Sequence, residues 1–194
     1  DFTSIHTIFD RIQPDIVIHL AALVHKNHAD TSQANYDFIN YECACNIFDE
    51  CIQRNCKLIF SSTIEVYGNR QQTLVKESTV CSPKSYYAIA KYKAEEYLRT
   101  HSDQLTYAIL RFAPVYGEAF TLNIDKRILL KPIPLAYYFK NGEYQFHFCS
   151  VNNIITFVTF LIEKDTYGNT IYNLSDKKAV SAKELITFYK AQGW

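Results

Sequence analysis

Asp15-Ile16-Val17-Ile18-His19-Leu20-Ala21-Ala22, introduced by Pro14, decides the fold. It is a short, unbroken apolar run rich in β-branched side chains, the composition of a strand covered on both faces, as in a parallel sheet. Downstream, Ser32 to Gln53 places Tyr36, Ile39, Cys43, Ile47, Phe48 and Cys51 at spacings of three and four, which predicts an amphipathic helix. Lys57-Leu58-Ile59-Phe60-Ser61-Ser62 repeats the strand signal. A polar loop then leads to Pro83 and a helix from Lys84 to Thr100, and Thr106 to Phe112 reads as a third buried strand. Strand, helix, strand, helix, strand with connections of this length is the pattern of crossover units, so the fold class is α/β, a parallel sheet with helices on both faces.

After Gly117 the texture changes to Lys-, Pro- and aromatic-rich sequence, with Pro132 and Pro134 in a stretch without a clear period. A helix from Asn153 to Glu163, a strand at Thr170 to Asn173 and a helix from Ser181 to Lys190 complete the chain. The expected organisation is a sheet domain over residues 1–117 and a smaller lobe over 118–194.

Composition removes several function classes. The 194 residues carry 20 basic and 20 acidic side chains, scattered rather than clustered, so a nucleic-acid partner is not expected. No apolar run approaches the roughly 20 residues of a bilayer span, and the first residues do not resemble a secretory signal. The six cysteines, Cys43, Cys45, Cys51, Cys56, Cys81 and Cys149, lack the second short-spaced pair that zinc requires, so reduced, mostly buried thiols in a cytoplasmic setting are expected. His25 and His28 straddle Lys26 and Asn27, and loop contacts outweigh metal ligation there; no metal is assigned. Five Gly and no Met in a chain this long read as a fragment.

In open parallel sheets ligands sit at the carboxyl ends of strands. The second strand runs into Ser61-Ser62-Thr63-Ile64-Glu65-Val66-Tyr67-Gly68, and the next helix opens with Ser85-Tyr86-Tyr87-Ala88-Ile89-Ala90-Lys91. Tyr87 and Lys91, four apart, share a helix face. A neighbouring ammonium favours the phenolate, lowering a pKa that is ordinarily near 10 and suiting the phenol to proton transfer. A hydroxyl such as that of Thr63 would steady the reacting oxygen. Alone, this Tyr-x-x-x-Lys spacing is weak among 15 tyrosines, and without further context a half-buried Tyr beside an exposed Lys is the better explanation.

Several ordered segments together carry a resemblance. His19-Leu20-Ala21-Ala22, Asn40 in the following helix, Phe60 to Gly68, Pro83 to Lys91, and Leu110-Arg111 through Val115-Tyr116-Gly117 resemble the extended short-chain dehydrogenase/reductase family, the NAD-dependent epimerases and dehydratases of nucleotide sugars. Leu23-Val24-His25, Pro114 and Asn153 are most similar to its bacterial polysaccharide branch of UDP-N-acetylhexosamine 4-epimerases and 4-keto reductases. The resemblance implies a Rossmann-like doubly wound parallel sheet with its N-terminal strands missing, residues 1–117 forming the C-terminal part of the NAD(P)-binding domain. It makes 118–194 a substrate-binding lobe with elements returning to that domain.

By the same resemblance Thr63, Tyr87 and Lys91 are catalytic, and Asp1, Leu20, Ala21, Ala22, Ser61, Tyr87, Lys91 and Pro114 line NAD or NADP. Thr63, Glu65 and Asn123 face a UDP-sugar, Asn123 reaching its diphosphate. A 4-epimerase acting through a 4-keto sugar is the expected activity, with a 4-keto reductase or dehydrogenase and a non-catalytic nucleotide binder as alternatives, and a homodimer is implied through the helices of Ser32–Gln53 and Lys84–Thr100.

Departures from the family pattern bear on chemistry. No two glycines are close enough to form a pyrophosphate-binding turn; that turn is expected roughly 50–60 residues before Asp1. The dehydratase Asp-Glu pair is reduced to Ile64-Glu65, which argues against water elimination. Near Gln145-Phe146-His147-Phe148, where relatives place an Arg against phosphate or ribose, there is none, so Lys126, Arg127 or Lys131 would have to replace it.

Overall fold

A computed structural model describes residues 2–24, 32–68, 74–130 and 135–192. Asp1, His25, Lys26, Asn27, His28, Lys131, Pro132 and Pro134 lie outside the described residues. In chain order the elements are α1 (Phe2–Ile12), β1 (Ile16–His19), α2 (Gln33–Asp37), a π turn (Phe38–Glu42), α3 (Cys43–Arg54), β2 (Lys57–Thr63), a 3-10 turn (Ile64–Tyr67), α4 (Tyr86–Thr100), β3 (Tyr107–Phe112), β4 (Val115–Tyr116), α5 (Leu122–Ile128), β5 (Leu129–Leu130), β6 (Leu135–Ala136), β7 (Gln145–Phe146), β8 (Cys149–Ser150), α6 (Val151–Lys164), β9 (Thr170–Leu174), β10 (Val180–Ser181) and α7 (Ala182–Ala191).

The chain divides into two compact units, one of residues 1–111 and 165–173, the other of 112–164 and 174–194. The first is built on a four-stranded sheet in the order β1-β2-β3-β9, with β1 and β2 parallel and in register from Ile16 opposite Lys57 to His19 opposite Phe60. Its core joins α1, α3 and α4 to β2 and β3 through Phe9, Phe48, Leu58, Phe60, Leu98 and Ile109. Each such side chain contributes roughly 1.5–3 kcal/mol on burial. β2 and β3 are buried along nearly their whole length, as their apolar runs require.

β1 departs from the expectation of burial on both faces: Ile18 is 42% and Leu20 64% exposed. The reason is topological, because β1 is the outermost strand of this sheet and no described element covers that side of Ile18.

The helix expected from Ser32 is interrupted. Ser32 caps α2 by accepting from Asn35 N, and the π turn then inserts an extra residue before α3 resumes. Fully buried Asn40 sits in that turn, accepting from Leu23 N at 2.7 Å and donating to Leu23 O at 2.8 Å. The widened turn lets a helix side chain serve as backbone partner for the loop leaving β1.

The second unit packs α5 and α7 around Ile124, Ile128, Leu129, Phe148, Leu185 and Ile186, with β4 and β8 parallel and β7 and β10 antiparallel. A capping box between Ser181 and Glu184 starts α7. Asp176 accepts from Ser150 N, Asn153 Nδ2 and Tyr116 Oη, tying β4, β8 and α6 to one carboxylate.

Candidate active site

Thr63, Glu65 and Ser85 link the C-terminal end of β2 to the start of α4. Ser85 caps α4 by accepting from Ala88 N at 3.1 Å, and its hydroxyl also donates to Glu65 Oε2 at 3.2 Å. Glu65 in turn donates its backbone N–H to Thr63 Oγ1 at 3.2 Å, where Thr63 caps the 3-10 turn. Thr63 is buried, Tyr87 half-buried and Glu65 exposed. A cavity of about 520 Å³ opens here, lined by Val24, Tyr36, Glu65, Lys84, Ser85, Tyr86 and Tyr87.

Lys91 is the unusual member. Its side chain is 1% exposed, its ammonium donates to Ser61 O at 2.8 Å, and it lies 4.7 Å from the centroid of the Phe60 ring. Burial pulls its pKa down to about 8, with Glu95 one turn away opposing the fall. Ser61 Oγ donates to His19 O at 2.8 Å, so Ser61 fastens β1 to β2 while its carbonyl holds the lysine.

The expected lowering of the Tyr87 pKa does not occur. Burial, and then the Glu65 carboxylate, push the phenol up to about 12. The physical reason is orientation: Lys91 spends its charge on the Ser61 carbonyl and the Phe60 ring, and the charge acting on the phenol is an anion.

Behind Lys91 stands a buried network that the motif reading did not assign. Glu95 receives Arg111 Nε at 3.0 Å and Arg111 Nη2, together with the Ser62 hydroxyl. Arg111 Nη1 donates to Tyr67 Oη at 2.7 Å, and Tyr67 Oη donates to Asn173 Oδ1 at 2.7 Å. Thus Lys91 and Glu95, successive turns of one face of α4, grip successive residues of β2, Ser61 and Ser62. A signal was present in the sequence: a Glu four residues after the Lys, among alanines on an apolar helix face, and an Arg within an apolar strand.

Other candidates are placed as follows. Leu20 and Ala21 are exposed and Ala22 half-buried at the end of β1. Pro114 and Asn123 belong to the second unit; Pro114 O accepts from Cys149 N, and Asn123 Nδ2 donates to Val115 O at 2.8 Å. The six cysteines are free thiols, three buried and three half-buried. Among the described residues no three His, Cys, Asp or Glu side chains cluster as metal ligands, and no helix is long and apolar enough to cross a membrane.

The model of the NAD dependent epimerase/dehydratase family matches residues 1–175. The chain belongs to that family. A UDP-glucose 4-epimerase of Vibrio cholerae is 27% identical over 88% of this chain and 55% of its own length. The UDP-glucose 4-epimerase of Thermotoga maritima, solved with UDP-glucose, superposes with a TM-score of 0.80 at 26% identity, covering 98% of this chain and 65% of that one. A UDP-N-acetylglucosamine 4-epimerase of Methanobrevibacter ruminantium, in complex with UDP-N-acetylmuramic acid, gives a TM-score of 0.77 at 25% identity over 98% of this chain and 64% of that one. The chain therefore spans between about half and two thirds of the length of these relatives. Its sheet and helices have the Rossmann-like arrangement of the epimerase/dehydratase structures.

Proposed function

We propose that this epimerase/dehydratase family member acts in a nucleotide-sugar 4-epimerase that works through a 4-keto sugar with NAD as hydride carrier. The observation that carries the reading is Lys91, a buried ammonium with three protons to donate and, among the described residues, one hydrogen-bond acceptor, Ser61 O. Vicinal hydroxyls of a cofactor ribose would satisfy its remaining donors, so the residues present fit NAD. When bound, NAD supplies the hydride acceptor and, oxidised, a positive ring charge.

The chain's own residues then divide the remaining work. Lys91 and Ser61 hold the ribose side, with Leu20, Ala21 and Ala22 as further lining. Thr63 Oγ1 steadies the sugar C4 oxygen while its proton passes to Tyr87 Oη, and the same proton returns when the 4-keto sugar is reduced on its other face. Because burial and Glu65 keep the phenol protonated near neutral pH, Tyr87 becomes a base only when a positive charge is placed against it.

Ile64 in place of an acid supports epimerisation over elimination, and the two UDP-sugar 4-epimerase structures support a UDP-hexose or UDP-N-acetylhexosamine as substrate. The product would feed surface polysaccharide precursors, and a homodimer would pair the helices of residues 32–53 and 84–100. The test is conversion of UDP-glucose or UDP-N-acetylglucosamine to its 4-epimer, followed by proton NMR with NAD present. Tyr87→Phe should lower turnover roughly 10²–10⁴-fold with an unchanged circular dichroism spectrum. Equal turnover by Tyr87→Phe would refute the assignment, and stoichiometric NADH consumption with a 4-keto sugar would assign the reductase instead.

A further inference from the structure

The charged pair beneath Lys91 reaches beyond the core. Phe60 and Ser62, two apart in β2, present their side chains to one face of the strand, and α4 covers that face: Lys91 lies over the Phe60 ring and Glu95 accepts from the Ser62 hydroxyl. Lys91 and Glu95, four apart, share one face of α4, and both are almost wholly buried. From β3, Arg111 locks the carboxylate through Nε at 3.0 Å and through Nη2, and its Nη1 donates to Tyr67 Oη at 2.7 Å and to Glu77 O at 3.4 Å. One residue of β3 thereby ties together α4, the 3-10 turn that follows Thr63, and the loop that leads to the cap of α4.

Two consequences follow for the site. Ser62 lies between Ser61, whose carbonyl accepts from Lys91, and Thr63, so a carboxylate that fixes Ser62 fixes the hydrogen-bonding groups on both sides of it. The second consequence is electrostatic, because desolvation penalises the charged form and a buried ammonium without a counter-charge sheds its proton. Among the described residues, the titratable groups that act on Lys91 or respond to it are Glu95 on α4 and His19 on β1. His19 is neutral near pH 7, its pKa drawn down to about 4 by burial and then by Lys91. Tyr87, one turn earlier on α4, is kept protonated by burial and by Glu65, and Arg111 is paired with Glu95. The Glu95 carboxylate is thus the anion that opposes what burial does to Lys91.

We infer that Glu95 is a positioning residue of the proposed site: clamped by Arg111, it holds the end of β2 through Ser62 and supplies the negative charge against which Lys91 stays protonated. What the site does rests on the nucleotide-sugar reading; how Glu95 acts on it rests on the packing of α4 against β2 and β3.

Side-chain NMR of the protein labelled at lysine, from pH 6 to pH 10.5 with Lys91→Met identifying the Lys91 signal, tests it. Wild-type Lys91 should titrate near pH 8. Glu95→Gln keeps an acceptor for Ser62 but removes the charge, and should move that midpoint down by about 1–3 pH units. Glu95→Asp keeps the charge on a shorter stem and should leave the midpoint close to that of wild type. The alkaline limb of the pH profile for turnover of UDP-glucose or UDP-N-acetylglucosamine should move with the midpoint, which a merely structural role would not produce. An unchanged midpoint in folded Glu95→Gln would overturn the inference, as would an equal fall in Glu95→Asp. If Glu95→Gln loses its folded circular dichroism spectrum, Glu95→Gln combined with Arg111→Met, which leaves no unpaired guanidinium behind, decides: a midpoint below that of wild type upholds the role, and an equal or higher one overturns it. Absence of turnover by wild type would remove the nucleotide-sugar reading, whereas a fall in Glu95→Gln would still uphold the action of Glu95 on Lys91.

Discussion

Replacing Lys91 with Met measures what the site's ammonium does to the fold. Burial draws its pKa from 10.5 to about 8. Each pKa unit corresponds to about 1.4 kcal/mol, so holding the charged form inside costs the folded state on the order of 3 kcal/mol at pH 7. Met fills the lysine stem's place against Phe60 but leaves Ser61 O without its donor, which costs about 1–2 kcal/mol. The net expectation is a gain of roughly 1–2 kcal/mol in stability at pH 7, together with loss of the proposed turnover.

The pH dependence has a definite sign. The folded pKa lies below the unfolded one, so between pH 8 and 10.5 the unfolded chain binds more protons at this position, and wild-type stability rises across that window as Lys91 loses its proton. The advantage of Lys91→Met should therefore be largest at pH 7 and shrink toward pH 10.5. Urea denaturation of both proteins by far-ultraviolet circular dichroism at pH 7, 8, 9 and 10.5 reads this directly. A Met variant less stable than wild type at pH 7 would refute the reasoning, as would a difference between the two that stays constant from pH 8 to 10.5.

The charged pair beneath the site should couple strongly. Arg111→Met leaves the fully buried Glu95 without its guanidinium and should destabilise by about 3–5 kcal/mol, whereas Glu95→Leu with Arg111→Met should recover most of that loss; additive single and double variants in a denaturation cycle would show the pair to be uncoupled. Buried His19, whose Nδ1 has no hydrogen-bond partner among the described residues, has its pKa lowered to about 4 by burial and then by Lys91, so the unfolded chain binds more protons between pH 4 and 6.5 and stability falls on acidification through that range. His19→Phe, a ring of similar size between Phe48 and Phe60, should flatten that fall by roughly 1–3 kcal/mol, and unfolding midpoints at pH 7, 5.5 and 4.5 that move in parallel for both proteins would count against it. Asn40→Ala removes both hydrogen bonds to Leu23 and should raise amide exchange of Leu23 at least about 10-fold, with a cost of about 1–3 kcal/mol; unchanged protection at Leu23 would mean that the loop after β1 is held by something else.

What could be read from the chain follows from how local each determinant is. β2 and α4 are set by their own runs of side chains: a strand expected over Lys57–Ser62 is found at Lys57–Thr63, and a helix expected from Lys84 to Thr100 begins at Tyr86 because Ser85 supplies the cap. α1 escaped notice although Ile5, Ile8, Phe9 and Ile12 already carry its helical spacing, and α5 lies in the Lys- and Pro-rich stretch where no period stands out. At the site, the four-residue spacing of Tyr87 and Lys91 was legible because a helix face is a one-dimensional property. The direction in which the Tyr87 pKa moves was not, because it depends on where Lys91 sends its ammonium and on Glu65 arriving from the turn after β2, and both are tertiary facts. The pairing of Glu95 with Arg111 is of the same kind: each residue looked out of place in its own element, but only the packing of α4 on β3 joins them.

The contrast between the two charges on α4 separates support from chemistry. Glu95 and Lys91 lie one turn apart, and each is almost wholly buried. Glu95 has both carboxylate oxygens occupied, by Arg111 Nε and Nη2 and by the Ser62 hydroxyl, and its charge is met by a guanidinium that is itself tied to Tyr67. A buried charge satisfied so completely has little left with which to meet a ligand, and its effect is to fix β2 against α4 and β3. Lys91 has, among the described residues, one carbonyl and one aromatic face, and a depressed pKa, at Ser61 near the end of β2. Folding alone would favour an apolar side chain there, and strain of this kind persists where the surroundings over-determine it and function uses it. The complete pair anchors the strand that positions the incomplete one, so disturbing Glu95 should act on the proposed turnover through the placement of Ser62 and Thr63, whereas disturbing Lys91 should abolish that proposed turnover through loss of its ammonium.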